Sequence, residues 1–225
     1  MKLITVGSGS DGNCYLLKCG EEILVLDAGM PFICVKKALR FNIMGIQAVL
    51  ITHSHGDHVK FAHEYEAAGI TVWKPYEDDK LRQDAQFGSF RVQSVPMVHN
   101  VPCVGYLIHH PDMGKMLYAT DTEYIKYRFR GLNVALIEAN YADEFIDRTA
   151  VKFFHVLTGH LSITTTTDFI RTNASDLNHV ILCHMSNDGS DPVAFRQEIE
   201  AVVPSECTVH IAEPGIEVDV SAIPF

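Results

Sequence analysis

The sequence predicts an α+β fold in which two β-sheets pack face to face and helices cover their outer sides. Three observations predict this fold. The first half of the chain is a series of short apolar runs with few helical stretches, the second half alternates strands with helices, and polar residues follow the ends of several apolar runs. With 225 residues, 47% of them hydrophobic and 20% charged, the chain is long enough for one domain over 1–225.

The first half contains most of the predicted strands. Two apolar runs on either side of Gly20-Glu21-Glu22 predict a hairpin that ends at Asp27. Helical stretches are expected at 32–39 and 58–68, and Gly69 would end the second of them. The other strands are predicted at 2–6, 46–52, 70–73, 90–95, 104–109 and 115–120.

The second half repeats the alternation of strand and helix. Ser162 is expected to cap a helix that runs through Phe169 and Ile170, because its hydroxyl can accept a first-turn N–H. Another helix is predicted at 192–201. Strands are predicted at 134–138, 180–183 and 209–212, the last of them closing a sheet.

A glycine pattern near the N-terminus, Gly7 to Gly12, matches G-x-G-x-x-G and raises the possibility of a dinucleotide-binding βαβ unit. That unit requires a helix starting at the third glycine, whose N-terminus faces the pyrophosphate. Here a hairpin follows, and only 14 residues separate Gly12 from Asp27. The glycines therefore predict a sharp turn between antiparallel strands instead.

Composition limits the partners and the location of the protein. The net charge is −10, from 18 basic and 28 acidic residues, which disfavours a wide phosphate-binding face. Phosphates would be held locally, through a basic patch or through metal. No apolar run approaches the ~20 residues that span a bilayer. Six cysteines without a C-x-x-C pair, and an N-terminal apolar run too short for a signal peptide, predict a cytoplasmic protein without a membrane partner.

The most informative stretch is 53–58, His-Ser-His-Gly-Asp-His, which directly follows a predicted strand. Three imidazoles and a carboxylate this close together predict a metal site, because Zn²⁺ accepts both ligand types and unpartnered buried imidazoles would be costly. His99, Asp121 and His184 also follow apolar runs. We expect these strand ends to converge on one edge of the sheets.

The residues 53–58, with His99, Asp121 and His184, resemble the ligand pattern of the metallo-β-lactamase superfamily, over nearly the whole chain. The resemblance implies a four-layer αββα sandwich. The opening Ser8-Gly-Ser-Asp-Gly-Asn-Cys-Tyr15 is similar to the YycJ/WalJ branch, cytoplasmic proteins related to DNA exonucleases. Residues 138–141, 159–162 and 184–186 resemble the late motifs of the β-CASP nucleases, without their inserted cap domain.

This resemblance implies a dinuclear-metal-dependent phosphodiesterase, exonuclease-like, that attacks DNA or RNA with a metal-bridging hydroxide. Two divalent ions are expected, Zn or Mn and alternatively Fe. The implied ligands are His53, His55 and His99 for one ion, Asp57, His58 and His184 for the other, and Asp121 as the bridge. Asp27 would support the metal loop. The implied catalytic residues are Asp57, Glu138 and His160, with His160 as a general acid held by Glu138.

Two weaker signals concern the substrate. Lys126, Arg128 and Arg130 alternate with aromatic residues, so a phosphate backbone could lie on the cations while Tyr or Phe stacks a base. A solvated edge strand is the favoured explanation of the pattern. Ser186 and Asn187 begin a polar loop that could hold a 5′ phosphate.

Other functions remain open. A small-molecule metallohydrolase (a thioesterase, lactonase or cyclic phosphodiesterase) is the main alternative, and the acidic net charge favours it. A flavin-coupled di-iron oxidoreductase usually carries an acid where this chain has His55, together with a flavin domain. A non-catalytic binding module would tolerate lost ligands, and here none is lost. Oligomeric state is not readable from the sequence.

Overall fold

The protein was analysed as a computed structural model, which describes residues 1–142, 144 and 158–222. These residues form two sheets and the helices that flank them. The strands are β1 Lys2–Gly7, β2 Cys14–Cys19, β3 Glu22–Leu26, β4 Ile46–Leu50, β5 Val72–Trp73, β6 Asp84–Phe87, β7 Phe90–Pro96, β8 Val104–His110, β9 Gly114–Ala119, β10 Leu132–Glu138, β11 His179–Cys183, β12 Thr208–Ile211 and β13 Glu217–Asp219. The α-helices are α1 Phe32–Ala38, α2 Gly56–Val59, α3 Ala62–Ala67, α4 Ile163–Asn173 and α5 Pro192–Glu200, and short 3₁₀ turns cover Pro75–Glu77 and Ala174–Asp176.

The first sheet has the strand order β13-β1-β2-β3-β4-β5, and the second has the order β12-β11-β10-β9-β8-β7-β6. The hairpin β2–β3 is antiparallel, as the sequence predicts, and β3, β4 and β5 run parallel to one another. In the second sheet β9 to β12 are parallel, whereas β6 to β9 are antiparallel neighbours. The glycine pattern forms the turn between the antiparallel strands β1 and β2, so no dinucleotide-binding unit is present there.

Three apolar clusters define four layers. The central cluster joins the inner faces of both sheets, for example Leu24 of the first sheet and Tyr106 of the second. An outer cluster packs α1 and α3 on the first sheet, and another packs α4 and α5 on the second. The order of layers is therefore helix, sheet, sheet, helix, which confirms the predicted αββα sandwich. No described helix is long and apolar enough to cross a membrane. That residues 1–225 form one domain stays a prediction.

Most predicted elements agree with the structure to within two residues at each end, including the Ser162 cap, whose Oγ accepts Thr165 N at 3.1 Å. The prediction of one helix at 58–68 was wrong in its extent. This stretch forms two helices, α2 and α3, because Phe61 N leaves the helical pattern and donates to Ala28 O at 2.9 Å. The edge strands β6 and β13 were not predicted, since both are short and polar.

The strand directions bring the candidate residues to one edge of the molecule. The strands β7, β9, β10 and β11 run the same way, so their carboxyl ends lie on one side of the second sheet. His99, Asp121, Glu138 and His184 stand at or just after these ends. In the first sheet Asp27 follows β3, and the loop 53–58 follows its parallel neighbour β4. The expected convergence of strand ends is therefore present.

Candidate metal centre

Two groups of four donor side chains meet between the sheets and share one carboxylate, that of Asp121. In each group the donor atoms lie within 4.8 Å of one another. The first group is His53, His55, His99 and Asp121, and the second is Asp57, His58, His184 and Asp121. These are the seven residues that the sequence selects as ligands, and the structure brings all of them together.

Donor spacing in both groups fits metal ions. In the first group His53 Nε2 lies 3.1 Å from His55 Nδ1 and 3.1 Å from Asp121 Oδ2. In the second, His58 Nε2 lies 3.2 Å from Asp121 Oδ2 and 3.2 Å from Asp57 Oδ2. Ligands held at ~2.0–2.1 Å by a tetrahedral ion stand about 3.3 Å apart. These donor spacings are compatible with one ion in each group.

Hydrogen bonding in the second group leaves Nε2 of each histidine for a metal. His58 Nδ1 donates to Asp27 Oδ2 at 2.7 Å, and His184 Nδ1 lies 2.5 Å from Asp121 Oδ1 and 2.9 Å from Glu138 Oε1. Burial opposes the charged form of both rings, but the surrounding carboxylates outweigh it and raise the pKa of His58 and of His184 well above the ordinary value. A cation is thus favoured at Nε2, and a metal ion can replace the proton there.

The first group is electrostatically different. Burial, followed by the neighbouring His53, lowers the pKa of His55 and lowers the pKa of His99 to about 4. Both rings are therefore neutral at pH 7 and offer a lone pair. His99 Nδ1 is buried and has no hydrogen-bond partner among the described residues, so no carboxylate supports this ring from behind.

Asp27 is fully buried beneath the metal loop. Its Oδ1 accepts Thr52 N at 2.8 Å, and its Oδ2 accepts Tyr118 OH at 2.5 Å in addition to His58 Nδ1. The carboxylate thereby connects the start of the loop to His58 and to the second sheet. This is the position that the sequence analysis expects for Asp27, and the supporting role of Tyr118 was not foreseen.

The glycine loop before β2 places two further polar residues that the sequence analysis missed. The buried Asn13 side chain contacts His58, with Nδ2 3.1 Å from His58 Nε2, and Asn13 N donates to Asp57 O at 2.7 Å. Ser8 Oγ accepts His184 N at 3.0 Å. The turn built by Gly9 and Gly12, both with positive φ, therefore binds the metal loop instead of a dinucleotide. From the sequence, residues 8–15 were linked to a turn and to a family resemblance, and no contact with the metal loop was predicted.

Glu138 links His160 to the second donor group. Its Oε1 accepts His160 Nδ1 at 2.7 Å as well as His184 Nδ1 at 2.9 Å. Its Oε2 accepts Leu161 N at 3.1 Å and Thr122 N at 3.4 Å. Although burial opposes the charged form of His160, Glu138 and then Asp121 raise the pKa of this ring to about 9. The fully buried Glu138 orients both rings and does not itself reach the cavity.

Three residues of the centre have left-handed backbone conformations. Asp27, Asp121 and His184 have φ values of 61°, 50° and 51°. Each stands directly after a strand or one residue further on, where the chain turns sharply and the side chain is directed across the sheet edge. Non-glycine residues rarely adopt this conformation, at a cost on the order of 1–3 kcal/mol each. The strain is concentrated at the metal centre.

A cavity of about 600 Å³ opens over the donor groups. Its lining includes His55, Asp57, His160, Ser186 and Asn187, and no lysine or arginine among the described residues lines it. The cavity thus brings Ser186 and Asn187, predicted as substrate-binding residues, next to the centre.

The other predicted substrate residues, Lys126 and Arg128, do not line this cavity. They lie on the connection between β9 and β10, which forms no strand although its side chains alternate between exposed and half-buried. Tyr127 and Phe129 are half-buried against the outer cluster of the second sheet, and base stacking on this connection stays a prediction. Tyr124, 43% exposed, is the ring that remains accessible on this connection.

The four layers and this double donor group are those of the metallo-β-lactamase fold. The model of the metallo-β-lactamase superfamily matches residues 7–96, which is less than half of the chain. The chain is thus similar to this superfamily over those residues.

The chain is also similar to proteins named exodeoxyribonucleases. It is 26% identical to YycJ of Bacillus anthracis over 63% of each chain, less than two thirds of that relative. It is 24% identical to WalJ of Streptococcus pneumoniae over 84% of this chain and 83% of that one. Among solved structures, YhfI of Bacillus subtilis superposes with a TM-score of 0.74 at 16% identity, covering 97% of this chain and 99% of that one. The last similarity concerns the fold alone.

Proposed function

We propose that the chain is a dinuclear-metal-dependent phosphodiesterase, exonuclease-like, acting on DNA or RNA ends. One observation carries the proposal: His160, held by Glu138, lines the cavity that opens over both donor groups. Simple activated esters need no general acid. A sugar alkoxide leaving from phosphorus does, because it must gain a proton as the P–O bond breaks. The names of the curated relatives support the same activity.

The proposal assigns a step to each part of the site. The residues that would hold two divalent ions are His53, His55, His99, Asp57, His58, His184 and Asp121. Bound there, Zn²⁺ or Mn²⁺ would activate water and stabilise charge on the phosphodiester oxygens. Glu138 holds Nδ1 of His160, which leaves Nε2 of this ring for the leaving oxygen. Ser186 and Asn187 at the cavity rim would bind the terminal phosphate.

A small-molecule phosphodiesterase or related metallohydrolase is the second candidate. The observation that favours it is charge: the chain carries −10 overall, and the described residues that line the cavity include no lysine or arginine. Such an enzyme would use the same ions and the same cavity but would gain little from His160 if its leaving group were already stable as an anion.

Substitution of His160 distinguishes the two candidates. We expect His160→Ala to keep two metal equivalents and most of its activity on bis(p-nitrophenyl) phosphate, and to lose at least about a hundredfold on end-labelled DNA or RNA. The matched control is His63→Ala, because His63 is exposed and the one hydrogen bond of its ring to a described residue is to Lys60 O. Equal, small losses on both substrates would favour the small-molecule candidate, and loss of metal would show that His160 is itself a ligand.

A further inference from the structure

A line of cations lies on the connection between β9 and β10. Its exposed members are Lys126, Arg128 and Arg130. The apolar residues that alternate with them are half-buried against the outer cluster of the second sheet: Ile125, Tyr127 and Phe129. This alternation indicates an extended segment with all three cations on its outer side, about 6.6 Å apart along the chain. We call these three residues the basic ridge.

The direction of the ridge follows from the topology. Because β9 and β10 are parallel neighbours, their connection must return from the carboxyl end of one strand to the amino end of the other. It starts at Asp121, in the metal centre, and ends at Leu132 on the opposite side of the sheet. The ridge therefore leads away from the rim of the catalytic cavity across the outer face of the second sheet.

The cations of the ridge have no acidic partners. No carboxylate among the described residues forms an ion pair with Lys126, Arg128 or Arg130, whereas other surface cations are paired, as in Lys2–Glu217 at 2.9 Å. In a chain with a net charge of −10, three unpaired cations in line form a local positive surface. A local positive surface of this kind is where an acidic protein can bind phosphates.

Features suited to binding a polynucleotide lie at both ends of the ridge. Tyr124, 43% exposed, lies between Asp121 and the ridge, and Lys126 Nζ stands 5.9 Å from its ring centroid. At the far end Lys115 Nζ donates to Arg130 O at 2.9 Å. Lys115 also lines a groove of about 540 Å³, together with Arg91 and His109, on the outer face of the second sheet.

We propose that Tyr124 and the basic ridge bind a single strand of DNA or RNA whose end occupies the metal cavity. This inference rests on the proposed nuclease function and deepens it by assigning the strand path. Single strands bind where cations follow the backbone and an exposed ring stacks a base, and both are present here. One line of cations with one exposed ring fits one strand, whereas a duplex presents two backbones.

The test is a triple variant, Lys126→Gln, Arg128→Gln and Arg130→Gln, assayed on a labelled single strand on the order of twenty nucleotides and on bis(p-nitrophenyl) phosphate. We expect kcat/KM on the strand to fall at least tenfold at low salt, with no more than a twofold change on the small ester. The slope of log(kcat/KM) against log[salt] should become shallower by about 2, since each of three contacts contributes ~0.7. A matched control replaces Lys36, Lys37 and Arg40 of the α1 region with Gln, and should behave as the wild type.

The outcomes separate the two proposals. A wild type that cleaves the ester but no nucleic acid overturns the nuclease function and the strand path together. A wild type that digests the strand, with a triple variant of unchanged kcat/KM and salt slope, overturns the strand path alone. An equal loss on a blunt duplex overturns the assignment to a single strand. Retained ester activity shows that the variant is folded, so each result bears on the ridge itself.

Discussion

Replacing Glu138 with Gln should remove one metal ion and leave the other in place. The carboxylate accepts four hydrogen bonds while fully buried: two from imidazoles at Oε1 and two from backbone amides at Oε2. A Gln side chain has only one oxygen, so its NH₂ group must face one of these two pairs of donors. The variant keeps the shape of the side chain and changes only the direction of hydrogen bonding.

We expect the amide NH₂ of the Gln side chain to face the two imidazoles. Facing the backbone, it would leave Leu161 N and Thr122 N without acceptors, at about 1–3 kcal/mol each. Facing the rings, it requires that His160 and His184 move their proton from Nδ1 to Nε2, and in His184 this also withdraws the proton from Asp121 Oδ1, which lies 2.5 Å from Nδ1. The protonated Nε2 of His184 can then no longer act as a ligand beside Asp57. We therefore expect at least a 10–100-fold loss of affinity for the second ion.

The assay is equilibrium dialysis against a buffered metal concentration that saturates the wild type, followed by elemental analysis. Glu138→Gln should retain about one equivalent, and its activity should fall on p-nitrophenyl esters and nucleic acid alike. Glu123→Gln, an exposed acid near Asp121, is the control and should retain two equivalents. Two equivalents in Glu138→Gln, with a loss confined to nucleic acid, would refute the tautomer argument and limit Glu138 to orienting His160.

Two other predictions concern the metal centre. Protein purified without chelator should contain close to two equivalents of Zn, Mn or Fe by elemental analysis, since seven donors form two groups; a content near zero after supplementation would contradict the site. Asp27→Ala should lose 10–100-fold in metal affinity or activity, because Thr52 N and His58 Nδ1 lose their common acceptor. Full metal content and activity in that variant would show that the metal loop needs no such support.

The convergence of the seven donors could be predicted from the sequence, because they follow apolar strands whose ends meet at one edge, whereas their assignment as ligands came from the resemblance and stays a prediction. The path of the chain between 56 and 67 could not, since an apolar pattern does not reveal the hydrogen bond from Phe61 to Ala28 that divides the helix. The edge strands β6 and β13 could not be predicted either, because their side chains are largely polar. In addition, β13 is a strand because it pairs with β1, which is distant in sequence.

Roles that depend on contacts between residues far apart in the sequence could not be predicted either. Ser8 and His184 are 176 positions apart along the chain, and Asn13 and His58 are 45 apart. Neither spacing corresponds to a local period. The second role of Glu138 was missed for a related reason: the sequence suggests a partner for His160 but does not show that the same oxygen also accepts from His184.

The left-handed backbone at Asp27, Asp121 and His184 restricts which residues can evolve at these positions. β-Branched side chains are genuine outliers in this conformation, whereas Gly, Asn, Asp and His are tolerated. A descendant that had lost catalysis would therefore still be limited to these few residue types at the three positions, because the turn requires a left-handed backbone. His55 and His99 have φ values outside that region and carry no such restriction. Among related chains, retention of His55 and His99 is thus the stronger sign of an active centre, and an aspartate at 27 or 121 is the weaker one.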